Sequence, residues 1–113
     1  MKPIDRDTLY RKLQSADAPI LVEALPEKHW NDWRLPGAKH LPHDRVRQLA
    51  PSVLPNRNAE IVVYCASATC QNSHIAARVL DQLGYTNVAV YAGGKKDWQE
   101  AGLPVEEGEA VGA

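Results

Sequence analysis

The sequence predicts an α/β domain of three layers, with a small, mostly parallel central sheet flanked by helices. Three observations carry this. Ile20-Leu21-Val22, Ile61-Val62-Val63-Tyr64 and Val88-Ala89-Val90-Tyr91 are short runs without a polar alternation, as strands buried on both faces are. Between the last two, Ala76, Val79, Leu80 and Leu83 recur at three- and four-residue intervals, which is one face of a helix. Ile61–Tyr91 therefore reads as strand, helix, strand, and such a unit has parallel strands.

In chain order, Asp5 or Asp7 can cap a first helix whose apolar stripe is Leu9 and Leu13, with Tyr10 beside it. Arg6, Arg11 and Lys12 keep its other side wet. The strand Ile20-Leu21-Val22 ends at Glu23, a carboxylate that must be either solvated or paired there. Residues 25–37 are turn-rich and close on Pro36-Gly37, a strong turn signal. Trp30 and Trp33, three apart, suit one helical turn packed on the sheet. Ala38 to Pro42 reads as a short extended piece, and Asp44 to Leu49 as a short helix with Val46 and Leu49 as its apolar pair. Pro51, Pro55, Asn56 and Asn58 mark a surface loop. After the central unit, Ala92-Gly93-Gly94 turns the chain, and Lys95 to Ala101 forms a last helix carrying Trp98. Glu106 to Ala113 contains three glutamates, two glycines and no periodicity. A single domain over residues 1–106 with a flexible tail at 107–113 is expected.

Composition narrows the function. A formal net charge of −1 and a pI near 6.4 provide no basic field for neutralising phosphates, so no nucleic-acid partner is expected. No apolar run approaches a membrane span, and the N-terminal residues lack the apolar core of a signal peptide. The expectation is a cytoplasmic protein with no membrane partner. Two cysteines five positions apart are no disulfide framework and read as free thiols or a catalytic pair. His29, His40, His43 and His74 show no compact ligand spacing, so no metal is expected. Neither GxGxxG nor GxxxxGK[ST] occurs, and no cofactor is expected.

The chemistry concentrates between the strand Ile61–Tyr64 and the helix that Asn72 or Ser73 can cap and Gly84 can end. The loop between them opens with Cys65 and continues Ala66, Ser67, Ala68, Thr69, Cys70, Gln71, Asn72 and Ser73. Backbone N–H groups that the helix has not used gather in such a loop, and with the helix's positive end they cradle an anion. A thiolate there is stabilised, so the Cys65 pKa is expected to fall. Cys65 would then be a nucleophile toward an electrophilic sulfur or phosphorus atom, its product held by the loop N–H groups. The alternative is a small hydrophobe at a strand end. Cys70 can face Cys65 as a resolving thiol or remain an exposed loop residue. Its C-x4-C spacing is not the C-x-x-C redox spacing. His74 at the helix start, Glu23 at a strand end and Lys95 after Gly93-Gly94 are candidate supporting groups. Each is also readable as an ordinary solvated or paired side chain. No arginine lies in the loop; the first is Arg78. Phosphoryl or arsenate transfer wants a bidentate guanidinium over the oxyanion, so a phosphatase or arsenate reductase comes last among the readings. Thiosulfate, also a dianion, would be held less well than a small, weakly charged sulfur species.

Four stretches together resemble the single-domain rhodaneses, the rhodanese-like sulfurtransferases. Ile20-Leu21-Val22-Glu23-Ala24 stands where that family often has a strand ending in Asp-Val-Arg. Leu35-Pro36-Gly37-Ala38-Lys39-His40-Leu41-Pro42 resembles its H-I-P-G-A signature. Ile61-Val62-Val63-Tyr64-Cys65 is similar to its strand leading into the active cysteine. Tyr91-Ala92-Gly93-Gly94-Lys95-Lys96-Asp97-Trp98, with Gly102-Leu103-Pro104-Val105, is similar to its closing G-G-x-x-x-W…G-x-P-V. The resemblance spans roughly residues 4–106. It implies a rhodanese-like fold and a cysteine that cycles through a persulfide, here Cys65. It also implies a small sulfur donor and a thiol or cyanide acceptor. Glu23 replaces the aspartate of the strand-end motif, and Leu25 stands near the family's arginine. The loop departs further: the serine matching the family's is Ser73, eight positions after Cys65, with Asn72 before it in place of arginine and with Cys70 added.

The expected function is thus a sulfurtransferase that moves sulfane sulfur through a Cys65 persulfide. Its expected donor is polysulfide or a low-molecular-weight persulfide, with thiosulfate used inefficiently. Two alternatives stand beside it. One is a thiol–disulfide or persulfide reductase using Cys65 and Cys70. The other is a catalytically silent rhodanese-like domain that binds or senses.

Overall fold

The structure, a computed structural model, describes residues 2–108. In chain order its elements are β1 (Lys2–Pro3), α1 (Arg6–Leu13), β2 (Ile20–Glu23), α2 (Glu27–Asp32), β3 (Trp33–Arg34) and β4 (Lys39–His40). They continue with α3 (Val46–Val53), β5 (Ile61–Tyr64), α4 (Asn72–Gln82), β6 (Val88–Tyr91), α5 (Gly94–Glu100) and β7 (Glu106–Glu107). The main sheet has the order β1-β6-β5-β2-β4, and every pairing in it is parallel. The three apolar runs are its three central strands. The residues of β5 and β6 are all buried, which explains why neither run alternates.

Alternation across each strand builds two cores. Val22, Val63 and Val90 face α3 and α4, where they meet Val46, Ala50, Ala76, Ala77 and Leu80. Leu21, Val62, Tyr64, Ala89 and Tyr91 face the other way, toward Leu9 of α1 and Trp98 of α5. Helices thus cover both faces, as the predicted three-layer fold requires. Register aligns Glu23, Tyr64 and Tyr91 across β2, β5 and β6, and Glu23 with His40 of β4. Four strands therefore end level, along the edge where Cys65 emerges.

Helix ends follow local chemistry. Asp5 caps α1, its carboxylate accepting from Thr8 N–H at 2.8 Å. Gly84, at φ +93, closes α4: its N–H donates to Asp81 C=O and the N–H of Tyr85 to Leu80 C=O, both at 3.1 Å. That paired closure satisfies carbonyls the helix leaves over. Gly102 closes α5 in the same way.

Several elements differ from expectation. Trp33 does not share a helical turn with Trp30; it opens β3, which pairs antiparallel with β7. Glu106 and Glu107 are therefore a strand where a loose tail was expected, while 109–113 lie outside the described residues. The third helix starts at Val46 and runs through Pro51 to Val53, not from Asp44 to Leu49. Burial of Val46, Ala50 and the following Leu54 offsets the backbone bond that Pro51 cannot make. The short edge strand β1 carried no sequence signal; Lys2 and Pro3 pair beside Ala89 and Val90 of β6.

Candidate active site

Cys65 is the first residue beyond β5, the central strand, and is 1% exposed. Its Sγ lies 3.3 Å from Ser73 Oγ and 3.5 Å from the Cys70 carbonyl oxygen. The loop between them folds back on itself. Cys70 N–H donates to Ser67 C=O at 3.0 Å, and the Ser67 and Thr69 hydroxyls lie 3.1 Å apart. This turn brings the Cys70 carbonyl oxygen to the Cys65 thiol, and both cysteines remain free.

α4 starts at Asn72 with no side-chain cap. The expected cap at Asn72 or Ser73 does not form. Ser73 lies inside the first turn, fully buried, and its hydroxyl faces the thiol instead. The thiol's ionisation also departs from expectation. Burial pushes the Cys65 pKa up, and hydrogen bonding and charge from the Cys70 thiol add to that. The side chain and backbone N–H of Ser73 oppose the rise without reversing it. Desolvation of a thiolate in this closed position outweighs the donors that cradle it.

A second helix start holds the loop from below. Lys95 N–H donates to Cys65 C=O at 2.9 Å, and Lys96 N–H to Ala66 C=O at 2.8 Å. The approach requires Gly94, which sits at φ +64; a Cβ there would stand 2.4 Å from the Cys65 carbonyl oxygen. Below this contact lies a buried polar cluster. Lys95 Nζ is 3.1 Å from Glu23 Oε1 and donates to His29 C=O at 2.8 Å, with the Trp33 ring 5.0 Å away. Glu23 Oε1 also accepts from the Tyr64 hydroxyl at 2.8 Å, and that hydroxyl in turn accepts from Leu35 N–H at 3.1 Å.

The family model of the Rhodanese-like domain matches residues 5–101. The chain belongs to that family. The rhodanese-like chain is 34% identical over 92 residues to the thiosulfate sulfurtransferase PspE of Escherichia coli, covering 71% of this chain and 86% of that one. It is 30% identical over 109 residues to an HTH-type transcriptional regulator of Mycobacterium tuberculosis. That match covers 96% of this chain but spans only 46% of the regulator's length. Among solved structures, a rhodanese from Escherichia coli superposes with a TM-score of 0.67 at 26% identity, over 80% of this chain and all of that one. A Bacillus halodurans protein shares the fold, with a TM-score of 0.85 at 21% identity over 94% of this chain and 77% of its own.

Within the rhodanese-like domain, the residues singled out from sequence separate into groups. Cys65, Cys70 and Ser73 converge. Ala66 is held through its carbonyl, Asn72 is half-buried in the first turn of α4, and Ala68, Thr69 and Gln71 are exposed. His74 lines a shallow cavity with Lys2, Pro3, Val90 and Ala92, and makes no hydrogen bond to the loop among the described residues. Lys95, a candidate supporting group also readable as a solvated side chain, is buried and bonded to Glu23. Tyr64 and Gly94 were not singled out. A tyrosine ending an apolar strand was the available signal for the first, since a buried hydroxyl needs a partner. The second of two consecutive glycines was the signal for a close backbone approach. Among the described residues, no three His, Cys, Asp or Glu side chains converge into a metal-holding group. An apolar cleft of about 450 Å³ between Tyr10, Leu13, Leu21, Pro36, Trp98 and Pro104 lies on the α1/α5 side and does not include the cysteine loop.

Proposed function

We propose that this rhodanese-like domain is a sulfurtransferase carrying sulfane sulfur as a persulfide on Cys65. The observation that supports it best is the placement of a buried thiol between the end of the central strand and the start of α4, with the Ser73 hydroxyl on its sulfur. In the first step the Cys65 thiolate attacks the outer sulfur of a hydropersulfide RSSH. A Cys65–sulfur bond forms, the donor's S–S bond breaks, and RS⁻ leaves, taking up a proton in water. An acceptor thiolate then attacks the outer sulfur of Cys65–SSH and leaves with it, returning the Cys65 thiolate. Polysulfide reacts in the same way and becomes shorter by one sulfur. Cyanide replaces the thiol acceptor as a soft carbon nucleophile.

The donor class follows from charge. The loop holds no arginine, and the buried lysine beside it is already bonded to a carboxylate. A polysulfide or low-molecular-weight persulfide suits this site better than dianionic thiosulfate, which needs charge-assisted donors. A second reading rests on the Cys70 contact. The Cys70 thiolate attacks Cys65 Sγ of the persulfide, hydrosulfide leaves, and a Cys65–Cys70 disulfide remains for a dithiol reductant to reopen.

Intact mass after brief exposure to thiosulfate, polysulfide or glutathione persulfide tests both. The carrier gains about 32 Da, reversed by cyanide and absent in Cys65→Ser, as persulfidation requires. The reductase loses about 2 Da, and only while both cysteines are present. No gain from any donor would sink the carrier reading and favour a domain that binds or senses. Thiosulfate loading as fast as persulfide loading would sink the donor assignment alone.

A further inference from the structure

Two arms of hydrogen bonds leave Cys65 in opposite directions along the chain and end on one atom. Before it, Tyr64 sends its hydroxyl to Glu23 Oε1 at 2.8 Å. After it, Cys65 C=O accepts from Lys95 N–H at 2.9 Å, and the side chain of that same lysine returns to Glu23 Oε1 at 3.1 Å. The contacts close a ring that runs from Cys65 through Tyr64, Glu23 and Lys95 back to Cys65. Glu23 is its fixed post. The Glu23 carbonyl accepts from Leu41 N–H at 2.9 Å, and the adjoining Ala24 N–H donates to Tyr64 C=O at 2.9 Å. Its side chain is wholly buried. Lys95 Nζ is steadied in turn by His29 C=O, to which it donates at 2.8 Å.

Packing alone does not call for such a cluster. An apolar pair of similar volume fills buried space without the desolvation penalty and is often at least as stable. What apolar side chains lack is direction, because a hydrogen bond weakens steeply when bent and a methyl contact does not. The ring fixes the Tyr64 side chain and the plane of the Cys65–Ala66 peptide together. Those two features set where the Cys65 Cα–Cβ bond points, and the thiol at its end lies 3.3 Å from Ser73 Oγ. The ring works through hydrogen bonds rather than net charge. Burial raises the Glu23 pKa and lowers that of Lys95, and a proton moved from the amine to the carboxyl still leaves one donor and one acceptor between them.

We propose that Glu23 is a positioning residue for Cys65: by holding the Tyr64 hydroxyl and the Lys95 side chain on one oxygen, it fixes the strand end so that the thiol faces Ser73. The inference rests on the carrier reading for its effect on sulfur loading, but the placement of the thiol is measurable without sulfur transfer.

Glu23→Leu combined with Lys95→Met exchanges the pair for apolar side chains of similar volume and should melt within a few degrees of the parent. In a Cys70→Ser background, alkylation by iodoacetamide reports Cys65 alone. Ser73→Ala should slow that alkylation roughly three- to tenfold while the ring is intact. In E23L/K95M the same change should matter less than about twofold, the sign of a coupling that has been lost. Glu23→Gln keeps one oxygen for both donors and should restore the Ser73 effect. Loading from glutathione persulfide at saturating donor should fall roughly ten- to a hundredfold in E23L/K95M, as for a misplaced nucleophile. The half-saturating concentration should stay within about twofold, since no donor contact is removed. An undiminished Ser73 effect, or loading at the parent rate, in an E23L/K95M protein that melts cooperatively overturns the proposal. So does a Ser73 effect that is absent with the ring intact, or absent in an E23Q protein that melts like the parent. If E23L/K95M folds poorly, Tyr64→Phe opens the ring at one bond; the Ser73 effect should shrink there as well, and an unchanged effect overturns the proposal. A parent that loads from no donor sinks the carrier reading alone, while the Ser73 coupling still decides the role of Glu23.

Discussion

At Cys65, two effects of opposite sign act on one atom. Closing the loop over the sulfur excludes water and disfavours the thiolate, and Ser73 restores part of that loss. Ser73→Ala should therefore lift the thiol further and slow its alkylation by iodoacetamide near neutral pH roughly three- to tenfold, about the effect of one hydrogen bond to a charged group. A rate equal to or faster than the parent's would show that the hydroxyl does not face the reactive sulfur. The same raised pKa has a consequence for folding. The folded state holds this proton more tightly than the unfolded chain, whose thiol titrates near the ordinary 9.0. The thiol's contribution to stability is complete below that value and is lost as pH rises through the higher folded value. The position of Cys65 at a strand end was legible because its neighbours on both sides carry strong local patterns. Its ionisation was not legible, because desolvation depends on what covers the sulfur.

At the scale of elements, turns and caps are local and the meeting of helix with loop is not. Asp5 holds α1 through Thr8 N–H, and that bond keeps its carboxyl below the ordinary 3.8. Asp5→Ala should lower the melting temperature by a few degrees at neutral pH. A depressed pKa gives stability that is present above the unfolded value and lost as pH falls through the folded one. The parent and variant melting curves, followed by circular dichroism, should thus converge in acid. Gly94 is the position where the start of α5 meets the cysteine loop. Gly94→Ala forces a positive φ on alanine and drives its Cβ into the Cys65 carbonyl. We expect a loss of about 2–4 kcal/mol in urea unfolding, together with altered Cys65 reactivity. A loss under about 0.5 kcal/mol, the range of neutral surface changes, would mean that the loop is not clamped.

At the scale of the molecule, the parallel sheet joins two cores, and the α3/α4 side is sealed by side chains far apart in sequence. Leu80 is fully buried there, and the Tyr85 hydroxyl reaches back to Leu54 C=O at 2.5 Å. Leu80→Ala should cost about 3 kcal/mol through lost burial and a cavity, read from the urea midpoint. Ile75, five residues earlier and 37% exposed, should tolerate alanine within about 0.5 kcal/mol. Equal effects at the two positions would contradict the assigned helix face. This face was legible from the spacing of Ala76, Val79 and Leu80. The extension of α3 through Pro51 was not, because proline is a strong local stop signal and only the burial of the surrounding residues overrides it.

Local sequence was enough for the strand–helix–strand unit over Ile61–Tyr91, the parallel character of its sheet, a cap at Asp5 or Asp7, the closure at Gly84 and the position of Cys65. Each of these rests on periodicity or on backbone chemistry within a few residues. Packing of the assembled sheet sets the rest: Trp33 pairs with Glu107, Ser73 faces the thiol rather than capping its helix, and Lys95 meets Glu23 instead of solvent. Those outcomes depend on which strands lie side by side and on how much water remains between them. Desolvation and long-range pairing appear only when the sheet has assembled, so no local pattern encodes them.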